Sequence, residues 1–166
     1  TKTENSGIIE ISMNKFAKEN GMEPIRISQI NYSLAHSSVE TFGDNTLVCM
    51  DTKEFRWYKK HDFPVMAFSP QAKGFFAKLA KGDAANNLPE GQYAGPANLA
   101  RLAKVKQLSE QTGDTPAKIT LGYLNSQPFF VSSVFAVTKL WQLDEDMEAQ
   151  DLTYDPKTVA FLENMI

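Results

Sequence analysis

The sequence predicts an α/β fold in which short parallel strands alternate with helices. Three observations carry this. First, stretches rich in β-branched and aromatic residues, at 25–34, 65–68 and 129–137, are too short or too irregular for helices and stand between segments with helical spacing. Second, a proline precedes each of them: Pro24, Pro64 and Pro128. Third, each stretch is followed by a helical segment, and such alternation means parallel strands joined by right-handed crossovers. Three strands make a small sheet for so many helices, and its outer strands would have open edges. The sheet is expected to be part of something larger.

At 166 residues the chain suits one ordinary domain. A net charge of −3 with mixed signs excludes a basic footprint for nucleic acid and a polybasic patch for anionic lipid. Cys49 stands alone, so neither an internal disulfide nor a cysteine-based zinc site can form, and a reducing compartment is expected. No run approaches the ~18–20 apolar residues of a membrane span, and no charged-then-apolar signal opens the chain. A soluble, cytoplasmic protein is the expectation.

In order along the chain, Ile9, Met13, Phe16 and Ala17 share one helical face, with Thr1 and Glu4 at capping-box distance and Gly21 placed to close the helix. The strand candidate at 25–34 mixes Ile25, Ile27 and Ile30 with Ser28, Gln29 and Asn31. A buried Gln29 would need partners for its amide, from protein or ligand. Residues 35–50 read as a long loop turning at Gly43-Asp44-Asn45. Asp51 or Thr52 caps a helix to about His61, with Phe55 and Tyr58 on one side and Lys59-Lys60-His61 at its negative end.

The stretch 63–76 is the organising one. Val65 to Phe68 reads as a strand buried on both faces, bounded by Pro64 and by Ser69-Pro70. The residues after it are polar and permissive: Ser69, Gln71, Lys73 and Gly74. Ligands of α/β folds bind at the carboxyl ends of parallel strands, so a site is expected here. Residues 77–97 read as a second long loop with one helical turn near Lys78. Asn98 is expected to cap a helix carrying Leu99, Leu102, Val105 and Leu108 and ending at Gly113. Thr115-Pro116 opens the next, with Leu121 and Leu124 inward, and Pro128 stops it. After the third strand candidate, Thr138 is expected to cap a helix with Leu140, Leu143 and Met147 on its apolar face, and Asp155-Pro156 opens a last helix through Val159, Leu162 and Ile166.

Phosphate-binding, serine-nucleophile and zinc-protease signatures are absent. His36 and His61 fall in a loop and at a helix end, where surface roles are expected, and no metal ligands are assigned. Asp144, Glu145 and Asp146 are consecutive on a helix, point to different sides and read as a solvated face.

Several pieces, in order and spacing, resemble the C-terminal half of an aldo-keto reductase: residues 28–34 (Ser-Gln-Ile-Asn-Tyr-Ser-Leu), Pro64 to Pro70 with Gly74, Thr115-Pro116-Ala117 with Gln127-Pro128, and Gln142-Leu143 with Asp151-Leu152. The resemblance covers nearly the whole chain, 1–166. It implies a (β/α)8 TIM-barrel-like fold of which only the C-terminal half is present, about three parallel strands with surrounding helices. It implies an extended nicotinamide cofactor across the strand ends, NADP(H) first and NAD(H) as the alternative, and a small carbonyl substrate, aldehyde or ketone, in the full-length parent.

Residue by residue, the resemblance matches Gln29 to the glutamine that bonds the nicotinamide carboxamide and Phe68 to the ring stacked on the nicotinamide. Ser69, Gln71 and Gly74 fall on the loop that wraps the pyrophosphate. Around the adenosine and its 2′-phosphate the family commonly has a Lys/Arg-Ser/Thr pair, an arginine and an asparagine; this chain has Thr138-Lys139, Gln142 and Asp146. Lys139 offers one positive charge, Gln142 lacks the planar fork of arginine, and Asp146 would repel phosphate. No position matches the family's catalytic aspartate, tyrosine, lysine and histidine, which belong to the first half of the barrel. The chain is therefore expected to begin just after the fifth strand, to supply no catalytic residue and to be inactive by itself. Of its tyrosines only Tyr32 is expected near the site. The alternative expectation is a non-catalytic binding or assembly module whose strand edges pair with a second copy or with another half-barrel.

Overall fold

Three four-residue strands, β1 (Ser28–Asn31), β2 (Val65–Phe68) and β3 (Val131–Val134), form one parallel sheet in the order β1–β2–β3. The computed structural model describes residues 6–82 and 93–163. The expected capping pair Thr1 and Glu4, the middle of the second long loop, and Ile166 lie outside the described residues.

Register places Gln29, Met66 and Ser132 in one row and Asn31, Phe68 and Val134 two residues further along. Side chains alternate across a strand, so these two rows share a face, and Ser28, Ile30, Val65 and Ala67 share the other. The second face is buried beneath the helices, whereas Gln29 is exposed and Met66 and Phe68 are only half-buried. Two expectations are corrected here: β2 is not buried on both faces, and the Gln29 amide is not buried. The physical reason is that helices cover one face of the sheet among the described residues. A three-strand parallel sheet with this one-sided cover is consistent with part of a (β/α) barrel.

The helices follow mostly from local signals. Helix α1 (Ser6–Glu19) ends before Gly21, whose φ of 64° is the left-handed backbone that glycine adopts without strain. Of its expected apolar face, the side chain of Ile9 lies outside those described, Met13 and Phe16 are 51% and 59% exposed, and Ala17 is buried; among the described side chains of the helix Glu10 is buried as well. Asn14 holds the chain leading into β1, donating to the Ile25 carbonyl at 2.9 Å and accepting from the Ile25 N–H at 2.6 Å.

The first long loop contains one helical turn, α2 (Val39–Phe42), the expected turn after it, in which the Leu47 N–H donates to the Asp44 carbonyl, and an isolated parallel bridge from Cys49 to Asn31 that covers the outer edge of β1 at that residue. Cys49 is half-buried, and burial pushes its thiol up. Helix α3 (Thr52–His61) is capped by Asp51, whose carboxylate accepts from the N–H groups of Lys53 and Glu54 at 2.8 and 2.7 Å. His61 stacks on Trp57 with ring centroids 4.6 Å apart.

After β2 a short 3₁₀ turn (Ala72–Gly74) leads into α4 (Phe75–Ala80). Helix α5 (Pro96–Thr112) starts earlier than expected: Gly95 occupies the cap position and Pro96 the first helical one, so Asn98 lies inside the helix. Its side chain leaves the helix to bond the loop after β1. Gly113 closes α5 at φ 80°, and Thr115 caps α6 (Pro116–Asn125), both as expected. A Cβ on Gly122 would lie 2.9 Å from Leu152 and from Tyr154, so the return chain packs directly on the backbone of α6 and no larger residue fits without moving those side chains.

Helix α7 (Leu140–Glu148) is capped one residue later than expected. Lys139 is at the cap position, and the Gln142 Oε1 accepts from the N–H groups of Thr138 and Lys139, both at 3.0 Å. Its apolar side is open, with Leu140 81% and Met147 50% exposed. Helix α8 (Pro156–Glu163) closes the described chain; Asp155 accepts from the Lys157 and Thr158 N–H groups. Between sheet and helices sits one core built from Ile30, Val65, Ala67, Tyr58, Phe75, Phe76, Val105, Ile119, Leu124, Phe129 and Leu162.

Candidate functional site

The carboxyl ends of the strands carry two groups of side chains. One is at the ends of β1 and β2, where the buried Asn31 and the half-buried Phe68 are register partners and the exposed Gln29 lies one row further in. Asn31 is held on both sides of its amide: Nδ2 donates to the Phe68 carbonyl at 3.3 Å, and Oδ1 accepts from the Ser37 hydroxyl at 2.6 Å. Phe68 is half-buried at the last position of β2.

The chain turns sharply beyond Phe68. Ser69, Ala72, Lys73 and Gly74 all have positive φ, between 50° and 80°. For the three non-glycine residues this costs of order 1–3 kcal/mol each, offset by the packing of Ala72, Phe75 and Phe76 in the core. Lys78 closes this turn by donating from Nζ to the Lys73 carbonyl at 2.9 Å, and its stem lies against Gly74, where a Cβ would stand 3.3 Å from Lys78 Cε. Lys78 thus clamps the C-terminal end of the strained loop. Gly74 is recognisable from its place after the strand, whereas the part played by Lys78, four residues on, has no sequence signal of its own.

The second group lines a cavity of about 270 Å³ between α4, α6 and α7. Here the structure brings together Gln71, Gly74, Gln142 and Asp146, four of the residues expected at a site. Gln71 donates from Nε2 to Asp146 Oδ1 at 2.6 Å, tying the loop after β2 to α7. Asp146 is only 4% exposed, so the expected solvated acidic face is corrected: Asp144 is exposed and Glu145 half-buried, but Asp146 points inward. Burial pushes its carboxyl up, the Gln71 bond opposes that shift, and Glu145 adds to it. Its Oδ2 is buried with no partner among the described residues.

Lys81 and Trp141 also line the cavity, the ammonium 5.2 Å from the ring centroid, and neither stands out in the sequence. Their signal is weak, since only the fold brings the end of α4 against the start of α7. Thr138 and Lys139 are exposed and outside this lining; their N–H groups are held by Gln142, whose carbonyl oxygen is thereby engaged in capping. Gln29 and Phe68 likewise lie outside the cavity, on the sheet face, and Ser69 is half-buried in the loop between.

Tyr32 is not on the open face. It is 4% exposed, stacked near Phe129, with its hydroxyl 3.5 Å from that of Tyr123, which donates to Glu163 Oε1 at 2.7 Å. Burial pushes the hydroxyls of both tyrosines up, the wrong direction for a proton donor. Among the described residues there is no cluster of side chains suited to a metal, and no helix is long and apolar enough to cross a membrane.

In a comparison with known families, the model described as "Aldo/keto reductase family" matches residues 8–166.

Proposed function

The chain belongs to the aldo/keto reductase family, and on that premise we propose that it supplies the cofactor-side portion of an NAD(P)H-dependent carbonyl reductase. Members of this family generally use a nicotinamide dinucleotide, which when bound supplies hydride to a carbonyl carbon. The chain's own part is to hold and orient. Phe68 offers a ring at the rim of the open face, and Gln29, exposed two residues before the end of β1, offers an amide with both donor and acceptor capacity. The loop 69–74 approaches from one side of that rim, and Gln71, Gly74, Gln142 and Asp146 line the adjoining cavity. Thr138 and Lys139 fit less well as direct ligands, because Gln142 engages their backbone.

The observation that carries the reading is the cavity at the strand ends, lined by residues from the loop after β2 and by α7, with a buried carboxylate oxygen that the described protein leaves without a donor. The cavity residues therefore fit a ligand with hydrogen-bond donors. The reading assigns no proton donor to this chain, Tyr32 and Tyr123 being buried and shifted the wrong way.

The expected result in a fluorescence titration of the purified chain is saturable binding of a reduced nicotinamide dinucleotide, weakened roughly tenfold by Phe68→Ala, as loss of one stacking ring implies. Gln29→Ala should weaken it less. No turnover of simple aldehydes or ketones is expected from the chain alone. Absence of any dinucleotide binding would overturn the reading.

A second reading, self-association through the open sheet, is favoured by one observation. On or beside β3, Phe130 and Val134 are 63% and 41% exposed, and the described residues pair only one edge of that strand. Sedimentation equilibrium should then show a concentration-dependent dimer that is weakened by Val134→Lys; a monomer at all concentrations would dismiss it.

A further inference from the structure

A second cavity, of about 190 Å³, lies between the loop after β1, the start of α3, and helices α5, α6 and α8. It shares no described lining residue with the cavity between α4, α6 and α7. Its volume is below the ~300–1,000 Å³ of pockets that enclose drug-sized ligands, so it has room for a small molecule and not for a dinucleotide. Its walls combine three aromatic rings, Tyr32, Phe55 and Tyr123, with a pair of opposite charges, Arg101 and Glu163.

The two charges are held in place without pairing. Arg101 donates from Nη1 to the Leu34 carbonyl at 2.9 Å and from Nε to the Glu163 carbonyl at 3.4 Å, so both bonds go to neutral backbone oxygens. Although half-buried, its guanidinium forms no ion pair with a carboxylate among the described residues. Neutral carbonyls orient such a group but leave it without a counter-charge. The Glu163 carboxylate is fixed in the same manner, Oε1 accepting from the Tyr123 hydroxyl at 2.7 Å. Arg101 Nη2 and Glu163 Oε2 have no hydrogen-bond partner among the described residues, and neither atom is closed off from solvent.

The cavity therefore presents one unengaged cationic donor and one unengaged anionic acceptor on adjoining residues. A simple anion would meet Glu163 as well as Arg101, with the exposed Asp51 adding to the repulsion, and a simple cation would meet Arg101. A zwitterion whose carboxylate and ammonium share one carbon complements both groups at once. The half-buried Phe55 and Met50 leave apolar surface for the rest of the molecule.

We propose that this cavity is a binding site for a free α-amino acid with an apolar side chain, its carboxylate on Arg101 Nη2, its ammonium on Glu163 Oε2 and its side chain against Phe55 and Met50. The proposal stands apart from the dinucleotide reading, which uses none of these residues.

The test is isothermal titration of the full chain with L-phenylalanine and with two analogues, phenethylamine, which lacks the carboxylate, and hydrocinnamate, which lacks the amine. The amino acid should bind saturably, and loss of either charge should weaken binding roughly tenfold or more, as hydrogen bonds between charged partners imply. Arg101→Gln should erase the difference between phenylalanine and phenethylamine while keeping that between phenylalanine and hydrocinnamate; Glu163→Gln should do the reverse. A variant that weakened all three ligands alike would overturn the role given to its residue. No binding of phenylalanine by wild type, or binding of either analogue as tight as that of the amino acid, would overturn the proposal, and the wild-type series decides this without any variant. Saturating NADH should leave the affinity for phenylalanine unchanged. Competition between the two would overturn the claim of a separate site, whereas failure of NADH to bind would overturn only the function proposed above.

Discussion

Asn98→Ala is expected to lower the stability of the chain by about 3 kcal/mol in urea denaturation, the largest effect expected of any single truncation. Asn98 is 3% exposed and works as a three-way clamp: Oδ1 accepts from the His36 N–H at 2.8 Å, and Nδ2 donates to the His36 carbonyl at 2.7 Å and to the Tyr93 carbonyl at 2.9 Å. Each of these bonds is worth about 1 kcal/mol net, and removing the amide leaves backbone groups of the loop after β1 without their partner in a buried setting. The same loop carries Ser37, which holds Asn31 beside Phe68. Loss of the clamp should therefore loosen the rim as well as the core, seen as faster amide exchange at His36 and Ser37. Asn98→Asp keeps the acceptor and loses the donors, so it should recover only part of the loss. A change under about 0.5 kcal/mol would show that the clamp is dispensable.

The second large effect depends on pH. Glu10 is 9% exposed on the inner side of α1; its Oε1 accepts from the Ser28 hydroxyl, and Oε2 is buried without a partner among the described residues. Burial, with the charge of Glu54 added, pushes its carboxyl up from 4.5 to about 7. Below pH 4.5 the group is protonated in folded and unfolded chains alike and contributes nothing. Between 4.5 and 7 the unfolded chain releases the proton while the folded one keeps it, so stability falls as pH rises. Above 7 the penalty is constant.

Glu10→Gln removes that penalty. Partial solvent screening reduces the full linkage value to about 2 kcal/mol. Relative to wild type, the variant should therefore gain about 2 kcal/mol between about pH 5 and about pH 8. Equal pH slopes for the two proteins would mean that Glu10 is solvated.

Much of the fold is legible because its signals are local. Asp51 and Thr115 cap their helices from their own side-chain oxygens, and Gly21 and Gly113 take the left-handed backbone at helix ends, all within one turn of the chain. Flanking prolines and short β-branched runs locate all three strands, and alternation with helices makes them parallel. Where two local signals compete, residue type alone misleads. Asn98 suits a cap, but Pro96 at the first helical position sets the start, freeing the amide for tertiary bonds.

The candidate site divides in the same way. The residue types after β2 and at the start of α7, and the family they resemble, are carried by the sequence alone, together with the α/β class and the parallel order of the strands. The tertiary structure decides which of those residues meet. Gln71 and Asp146 are 75 positions apart, and no local pattern records that the loop after β2 reaches the inner side of α7. It also decides burial: Gln29 and Leu140, whose patterns point inward, are exposed, while Asp146, in a run that suggests a solvated face, is enclosed. Periodicity states which residues share a face of a helix or strand, but whether that face meets protein or solvent depends on elements distant in the chain.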